Sequence, residues 1–355
     1  MITNVPVLTQ QYLPQITDKI DQKTKPLGAL GVIEQLAKRL ATIQSNRSGR
    51  WQKLDTLKPQ VIVFAGDHGI ACQGVSIAPS DVTYQMVLNF LNGGAAINCF
   101  CRSYNIDFSV VDTGICTPLP DALQEEHDNF FESRLGPGTF DISEQAAMTI
   151  TQVNDGLSAG GNIAKRAIKQ GCNVLIFGEM GIANTSAASA LMSALLNIPV
   201  EQSVGLGTGI TAEQFALKKQ LIKKGLTRLA DQEDHANIKK ILAELGGFEI
   251  IHIAGAIIAS AEQRVPVLVD GFIVSVAALV AQRIAPEITD YLIFAHQSNE
   301  HAHQRIVEQF HAKPLLQLAL RLGEGTGATL AFPLLQAAVS FYNDMASFES
   351  AGVTV

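Results

Sequence analysis

The sequence predicts an α/β protein whose sheet is parallel and covered by helices on both faces. Three observations predict it. Short β-branched or apolar runs recur along the chain, and each closes on glycine or a polar residue. Helical patterns fill the intervals between those runs. The runs are continuously apolar rather than alternating, as strands buried on both faces are.

Taken in order, the first element is helical: Leu27–Leu40 sets Leu30, Ile33, Leu36 and Leu40 on one face. Val61–Ala65 then runs into GDHG as a strand. Val82, Met86 and Phe90 repeat at i, i+4 and i+8, which predicts a helix. Further strands are expected at Asp107–Val111 before DTG, Val174–Phe177 before GEMG and Gln202–Leu206 before GTG. Phe248 to Ala261 is too long and alanine-rich for a strand and reads as a helix. Val267–Val269 before DG and Leu292–Ala295 before HQS complete the strands, and Ala328–Met345 closes the chain as a helix. The two end helices lie outside the strand–helix alternation. They suggest a small helical domain of residues 1–55 with 325–355, set against a large α/β domain of residues 56–324. In parallel sheets ligands bind beyond the carboxyl ends of the strands, which is where the six polar endings fall.

Composition narrows the function. Over 355 residues the apolar share is 47% and the charged share 17%, so much surface is expected to be buried. Net charge is −7 with no basic run, which argues against nucleic acid as a partner. The five cysteines form no CxxC pair and read as reduced thiols of a cytoplasmic protein. The stretch MITNVPVLTQQYLPQ shows neither a basic region nor an apolar core, so no leader is expected there. Met180–Val200 and Phe248–Ala281 are long and oily but carry polar or charged residues, and read as protein core rather than membrane spans.

Two loops carry the chemistry. RLGEGTGATL (Arg321–Leu330) sets Glu324 between Gly323, Gly325 and Gly327 at the head of an apolar helix. GEMGIANTSAA (Gly178–Ala188) repeats the design with Glu179. A carboxylate on such a loop is poorly solvated, which raises its pKa and suits it to proton transfer. Gly178–Asn184 and Gly205–Gly209 are candidate phosphate seats, since glycine turns before helices expose backbone N–H groups. Neither is a Walker loop or a dinucleotide fingerprint. Lys218, one helix beyond GLGTG, is either a phosphate ligand or a solvated helix lysine beside Lys219. Asp67-His68 is either a catalytic pair or a turn cap with a histidine satisfied by backbone. The histidine-rich AHQSNEHAHQ misses the HxxEH zinc spacing, so no metal is expected. No GxSxG elbow supports a serine hydrolase. Together these features point to group transfer at a sugar carbon.

At this point seven segments, in order over nearly the whole chain, resemble the nicotinate-nucleotide–dimethylbenzimidazole phosphoribosyltransferase family. They are KTKPLGALGVIEQLA, DHGI with QGVS, GEMGIANT, VGLGTG, GGFE, PVLVDGF and RLGEGTGA. The resemblance implies a six-stranded parallel sheet of Rossmann-like topology, a small helical domain from both termini and a homodimer. It implies transfer of phosphoribosyl from nicotinate mononucleotide to 5,6-dimethylbenzimidazole, without cofactor. Carried onto matching positions, Glu324 would be the base and Glu179 a possible alternative. Gly181 and Gly205, Gly207, Thr208 and Gly209, with Lys218, would hold the phosphate, and Asp270, Gly271 and Ser298 would border the site. The chain departs from the family pattern where the aromatic base would lie. Ala78 and Met86 stand where a serine and a glutamine are expected, with Ser80 and Gln85 close but out of register. Met86 is either core or part of a more apolar base pocket. A different nucleotide-handling transferase, a sugar-phosphate isomerase or a non-catalytic nucleotide-binding regulator are the other readings of the same loops.

Overall fold

A computed structural model describes residues 4–205 and 209–354. Its sheet has six strands: β1 (Pro59–Gly66), β2 (Asp107–Gly114), β3 (Phe130–Glu132), β4 (Val174–Met180), β5 (Val267–Val269) and β6 (Leu292–Phe294). All pairings are parallel and the order is β3-β2-β1-β4-β5-β6. The chain runs outward in one direction from β1 and in the other from β4, so the strand order reverses between these two. A crevice opens beyond the carboxyl ends of strands at such a point.

Alternation along each strand feeds two apolar layers. Ile62 and Phe64 of β1, with Leu175 and Phe177 of β4, face one layer, which includes the Phe248–Glu262 and Phe272–Ile284 helices. Val61, Val63 and Ala65, with Val174 and Ile176, face the other. That second layer includes the Val32–Ser48 and Thr326–Asp344 helices. Helices on both faces explain why the strand runs lack a polar alternate. The Phe248–Glu262 helix crosses Ile150–Lys169 at very close range. A Cβ on Gly160 or Gly255 would collide with the backbone of His252 or Leu157, respectively, so the glycines set the interaxial distance.

The terminal helices Leu13–Asp21, Val32–Ser48 and Thr326–Asp344 pack on one another, and an antiparallel bridge between Lys23 and Ser347 ties the two ends of the chain together. Among the described residues no helix is long and apolar enough to cross a membrane.

Three local expectations need correction. The Gln202–Leu206 strand does not form: Val200–Ser203 is a helical turn that follows Pro199, and Leu206 lies outside the described residues. The serines explain the turn. The Ser203 carbonyl accepts the Ser189 hydroxyl at 2.8 Å, and Ser203 Oγ meets Ser193 Oγ at 2.6 Å, so this segment's polar groups are satisfied against a helix rather than in a ladder. The sixth strand is instead β3, three residues on the β2 edge. The helix expected from Leu27 starts at Val32, because Gly28 and Gly31 take positive φ (72° and 51°) that a helix does not use. The buried face of the Asp81–Leu91 helix is Thr83, Val87 and Phe90, which leaves Val82 and Met86 half-buried at its edge.

Candidate active site

β1 and β4 pair in a register that sets Phe64 beside Glu179 and Ala65 beside Met180, so the GDHG and GEMG loops leave the sheet side by side. The loops after β5 and β6 and the segment around Gly323 join them. The loops after β4, β5 and β6 and residues 321–323 enclose a cleft of about 130 Å³ whose walls include Glu179, Gly181, Thr185, Asp270, His296 and Ser298.

Glu324 stands at the head of the Thr326–Asp344 helix in a left-handed conformation with φ 62°, flanked by Gly323 at 91° and Gly325 at 82°. A non-glycine residue held there costs about 1–2 kcal/mol, and the surroundings enforce it. The Thr326 hydroxyl donates to the Gly323 carbonyl at 2.7 Å, and Ala328 N–H donates to Asp270 Oδ1 at 2.8 Å. On the other side the Glu324 carbonyl lies so close to Gly178 of β4 that a Cβ there would collide with it. The residue is 5% exposed, and its Oε2 has no hydrogen-bond partner among the described residues. Burial pushes its pKa up to about 7. The Ile97 backbone opposes that rise and Asp270 adds to it.

Glu179, at the end of β4, is also buried. Burial pushes it up to about 8, and Glu249 and Asp270 add to the shift; Asn184 Nδ2 donates to it and opposes the rise, while Glu324 reinforces it. The two glutamates are neighbours across Gly323, where a Cβ would collide with Glu179 Oε1. Glu179 lines the cleft and Glu324 lies next to its Gly323 wall, so two carboxyls poised near neutrality stand at one site, equipped to take a proton.

The opposite wall suits an anion. Gly181 precedes the Asn184–Leu196 helix, whose N-terminal residues Asn184 and Thr185 line the cleft. Gly181 must be glycine, since a Cβ would collide with the Gly66 carbonyl at the end of β1. Lys218 is not a solvated helix lysine. It is 2% exposed, and its Nζ donates to Thr185 Oγ1 at 2.7 Å. Burial lowers its pKa to about 8, with Glu300 acting against that. Gly205 lies under the Glu300 carboxylate, and Gly209, at φ 111°, lies near Arg321. Gly207 and Thr208 fall outside the described residues.

Asp67 and His68 do not form a hydrogen-bonded pair. Asp67 accepts the Thr83 hydroxyl at 2.6 Å and Cys116 N–H at 2.8 Å, and Thr83 Oγ1 in turn accepts Ile182 N–H at 3.1 Å. This relay fastens the GEMG loop to the Asp81–Leu91 helix. His68 meets a carboxylate rather than backbone: its Nε2 lies 2.9 Å from Glu249 Oε1, both side chains fully enclosed. Burial presses the imidazole toward neutrality, but Glu249 and Asp67 outweigh it and the net shift is upward. Glu249, Thr185 and Arg321 were not singled out by spacing. Glu249 begins a buried helix, and a charge in such a run was the available signal.

Ala78, Ser80 and Met86 are half-buried and Gln85 is exposed; none of them lines the cleft, although Thr83 on the same helix touches its Ile182 wall. Of the histidine-rich segment, His296 reaches the cleft and His303 lies behind it. No group of three metal-ligating side chains occurs among the described residues.

With this geometry in view, comparison with known proteins is direct. A family profile described as Phosphoribosyltransferase matches residues 5–353. The chain belongs to that family. Nicotinate-nucleotide–dimethylbenzimidazole phosphoribosyltransferase of Vibrio vulnificus is 54% identical over 98% of this chain and 100% of its own length. The protein of the same name from Vibrio cholerae is 51% identical over the same shares. In three dimensions the fold resembles the crystal structure of CobT from Thermus thermophilus, with a TM-score of 0.90 and 42% identity over 97% of this chain and 99% of that one. The six-stranded parallel sheet described above thus belongs to a fold shared with that structure.

Proposed function

We propose that this chain transfers the phosphoribosyl group of nicotinate mononucleotide to 5,6-dimethylbenzimidazole, giving α-ribazole 5′-phosphate and nicotinate, with Glu324 as general base. The observation that carries the reading is a pair of buried glutamates with pKa values raised toward neutrality, Glu179 lining the cleft and Glu324 next to its Gly323 wall, beside a cleft that also takes in the helix end at Asn184 and Thr185, where Lys218 bonds. The relatives bearing that enzyme name support the same assignment over nearly the full length of the chain.

The chemistry fits what the cleft offers. The donor's pyridine nitrogen is quaternary and leaves as a neutral ring nitrogen, so its departure needs no acid. The acceptor must lose its N–H proton as its other nitrogen bonds the sugar carbon. Glu324 takes that proton, with Glu179 beside it as the alternative base. The remaining contribution is positioning of two reactants. In this reading Gly181, Gly205, Gly207, Thr208 and Gly209 with Lys218 hold the phosphate, and Asp270, Gly271 and Ser298 hold the rest of the nucleotide. Residues 1–55 with 325–355 form the small helical unit, and the chain works as a homodimer.

Incubation with nicotinate mononucleotide and dimethylbenzimidazole, followed by chromatography, tests the proposal. Equal amounts of nicotinate and α-ribazole 5′-phosphate are expected; nicotinate without a ribazole product would point to a hydrolase instead. Lys218→Ala is expected to weaken donor binding by about 1.5–3 kcal/mol, the scale of a hydrogen bond to a charged group. Affinity for free dimethylbenzimidazole should stay unchanged in a titration. An equal loss for both ligands would remove Lys218 from the phosphate.

Acceptor choice follows from Ala78 and Met86. In this reading the aromatic base lies beyond the cleft, against the Asp81–Leu91 helix, and with no serine or glutamine at those two positions that part of the site is apolar and adaptable. Unsubstituted benzimidazole should be accepted at a cost of about 1–3 kcal/mol per missing methyl, read from competition between mixed bases. Strict use of dimethylbenzimidazole, unaltered in an Ala78→Ser, Met86→Gln double variant, would contradict this.

A further inference from the structure

The histidine-rich segment after β6 has a place in the fold that neither a metal site nor the transfer chemistry uses. His303 is fully enclosed and its tautomer is fixed: Nδ1 accepts Ser298 N–H at 2.9 Å, which leaves Nε2–H to donate to Ser275 Oγ at 3.0 Å. Burial, then His296, lower its pKa to about 3, so it stays neutral. Its ring stands 6.1 Å from that of His296, tilted by 42°. His296, 3% exposed, closes the series: Nε2 lies 3.6 Å from Asp270 Oδ1, the oxygen that also accepts Ala328 N–H at 2.8 Å. The backbone makes room for this ring. A Cβ on Gly327 would collide with it, and one on Gly271 would lie 3.5 Å from Nε2. Two wall elements of the cleft therefore converge on one imidazole. Its Nδ1 has no hydrogen-bond partner among the described residues, and its Nε2 faces the Asp270 carboxylate.

We propose that His296 is a positioning residue for the donor's ribose, acting through Asp270. With Oδ1 fixed between Ala328 N–H and His296, the Asp270 carboxylate turns Oδ2 toward the cleft, where it accepts a ribose hydroxyl. At 3.6 Å the histidine contact is just beyond hydrogen-bond length. A small rotation of the carboxylate, such as a hydroxyl on Oδ2 imposes, completes it. The same link joins the ribose to the helix that begins beside Glu324, so sugar and base are held by one carboxylate. The inference rests on the transfer reading above, since it assigns the sugar of that donor.

The test is steady-state kinetics of wild type, His296→Ala and His296→Gln with nicotinate mononucleotide and its 2′-deoxy and 3′-deoxy analogues. His296→Ala should raise the donor KM about tenfold, the size of one charge-assisted hydrogen bond, with kcat within a few-fold. His296→Gln, which keeps an N–H donor, should recover most of the loss. One deoxy analogue should cost the wild type about tenfold in kcat/KM and cost His296→Ala little, because the contact is already gone. A merely structural role would instead lower kcat, or leave the deoxy penalty equal in all three proteins, and either result overturns the proposal. Should His296→Ala fail to fold, His296→Phe takes its place: a raised donor KM and a lost deoxy penalty in the phenylalanine variant, with both restored in His296→Gln, supports the N–H role, and equal behaviour of the two variants overturns it. An active wild type matched by His296→Ala overturns this inference alone. A wild type that releases no nicotinate overturns the transfer reading and this inference with it.

Discussion

Glu324→Gln is expected to lower kcat by roughly two to four orders of magnitude, the scale of a lost general base, while leaving donor KM nearly unchanged. Glutamine keeps the shape that Gly323, Gly325 and Gly178 accommodate, so the left-handed turn survives. What it removes is the proposed proton acceptor. The pH profile sharpens the test. The carboxylate is the active form and its pKa is pushed up to about 7, so kcat/KM should fall about tenfold per pH unit below neutrality and level off above it. The slope should vanish in the variant. Stability runs the opposite way. A carboxyl whose folded pKa is raised above its ordinary value of 4.5 disfavours the fold increasingly as pH climbs from there to about 7. Glu324→Gln should therefore melt no lower than wild type at about pH 8, above that window, while its turnover collapses. Near-normal turnover would move the base role to Glu179.

The strand endings were legible because buried parallel strands leave a local mark: an apolar run that stops at glycine or a polar residue. Five of the six expected runs became strands for that reason. Gln202–Leu206 carried the same mark and failed, because Pro199 and the serines around it favour a helical turn over a ladder. Phe130–Glu132 became the sixth strand without any such mark. Three residues after an acidic stretch carry no period, and only the exposed edge of β2 selects them. The phase error in the Asp81–Leu91 helix has a similar origin. Thr83 is buried by its hydrogen bonds to Asp67 and Ile182, partners that hydrophobic periodicity does not register.

In the site, the two glutamates were visible because glycines flank them, yet the glycines serve another purpose than expected. The sequence points to a poorly solvated carboxylate and to exposed backbone N–H groups. Gly178, Gly323 and Gly327 instead clear the Glu324 backbone, the Glu179 carboxyl and the His296 ring. Lys218 shows the converse limit. Its neighbours in sequence suggested a solvated face, and only the packed helices reveal that it points inward to Thr185. Pairings such as His68 with Glu249 join residues 181 positions apart, a separation at which a single sequence carries no contact signal.

That reassignment of the glycines makes Gly178→Ala a severe small change set directly against the backbone of Glu324. The new methyl would collide with the Glu324 carbonyl and stand 2.7 Å from Gly325 N, backbone atoms on both counts. β4 cannot yield, since it lies between β1 and β5, and Gly178 is in register with Val63. The helix beyond the loop is held by Ala328 N–H on Asp270. The strain therefore falls on residues 323–325, which must retreat by roughly 1 Å and carry Glu324 with them. A misplacement of about that size costs on the order of a hundredfold in rate. The expected result is a kcat lowered about a hundredfold, with donor KM little changed because the Lys218–Thr185 wall stands apart from the collision. Gly136→Ala is the matched control: its Cβ would meet nothing closer than 3.6 Å, so activity should stay close to wild type. Thermal melts of both variants separate a displaced base from a broken fold. A Gly178→Ala protein that melts normally and turns over at the wild-type rate would show that the loop accommodates the methyl without moving the carboxylate, and would remove backbone clearance as the reason for glycine at this position.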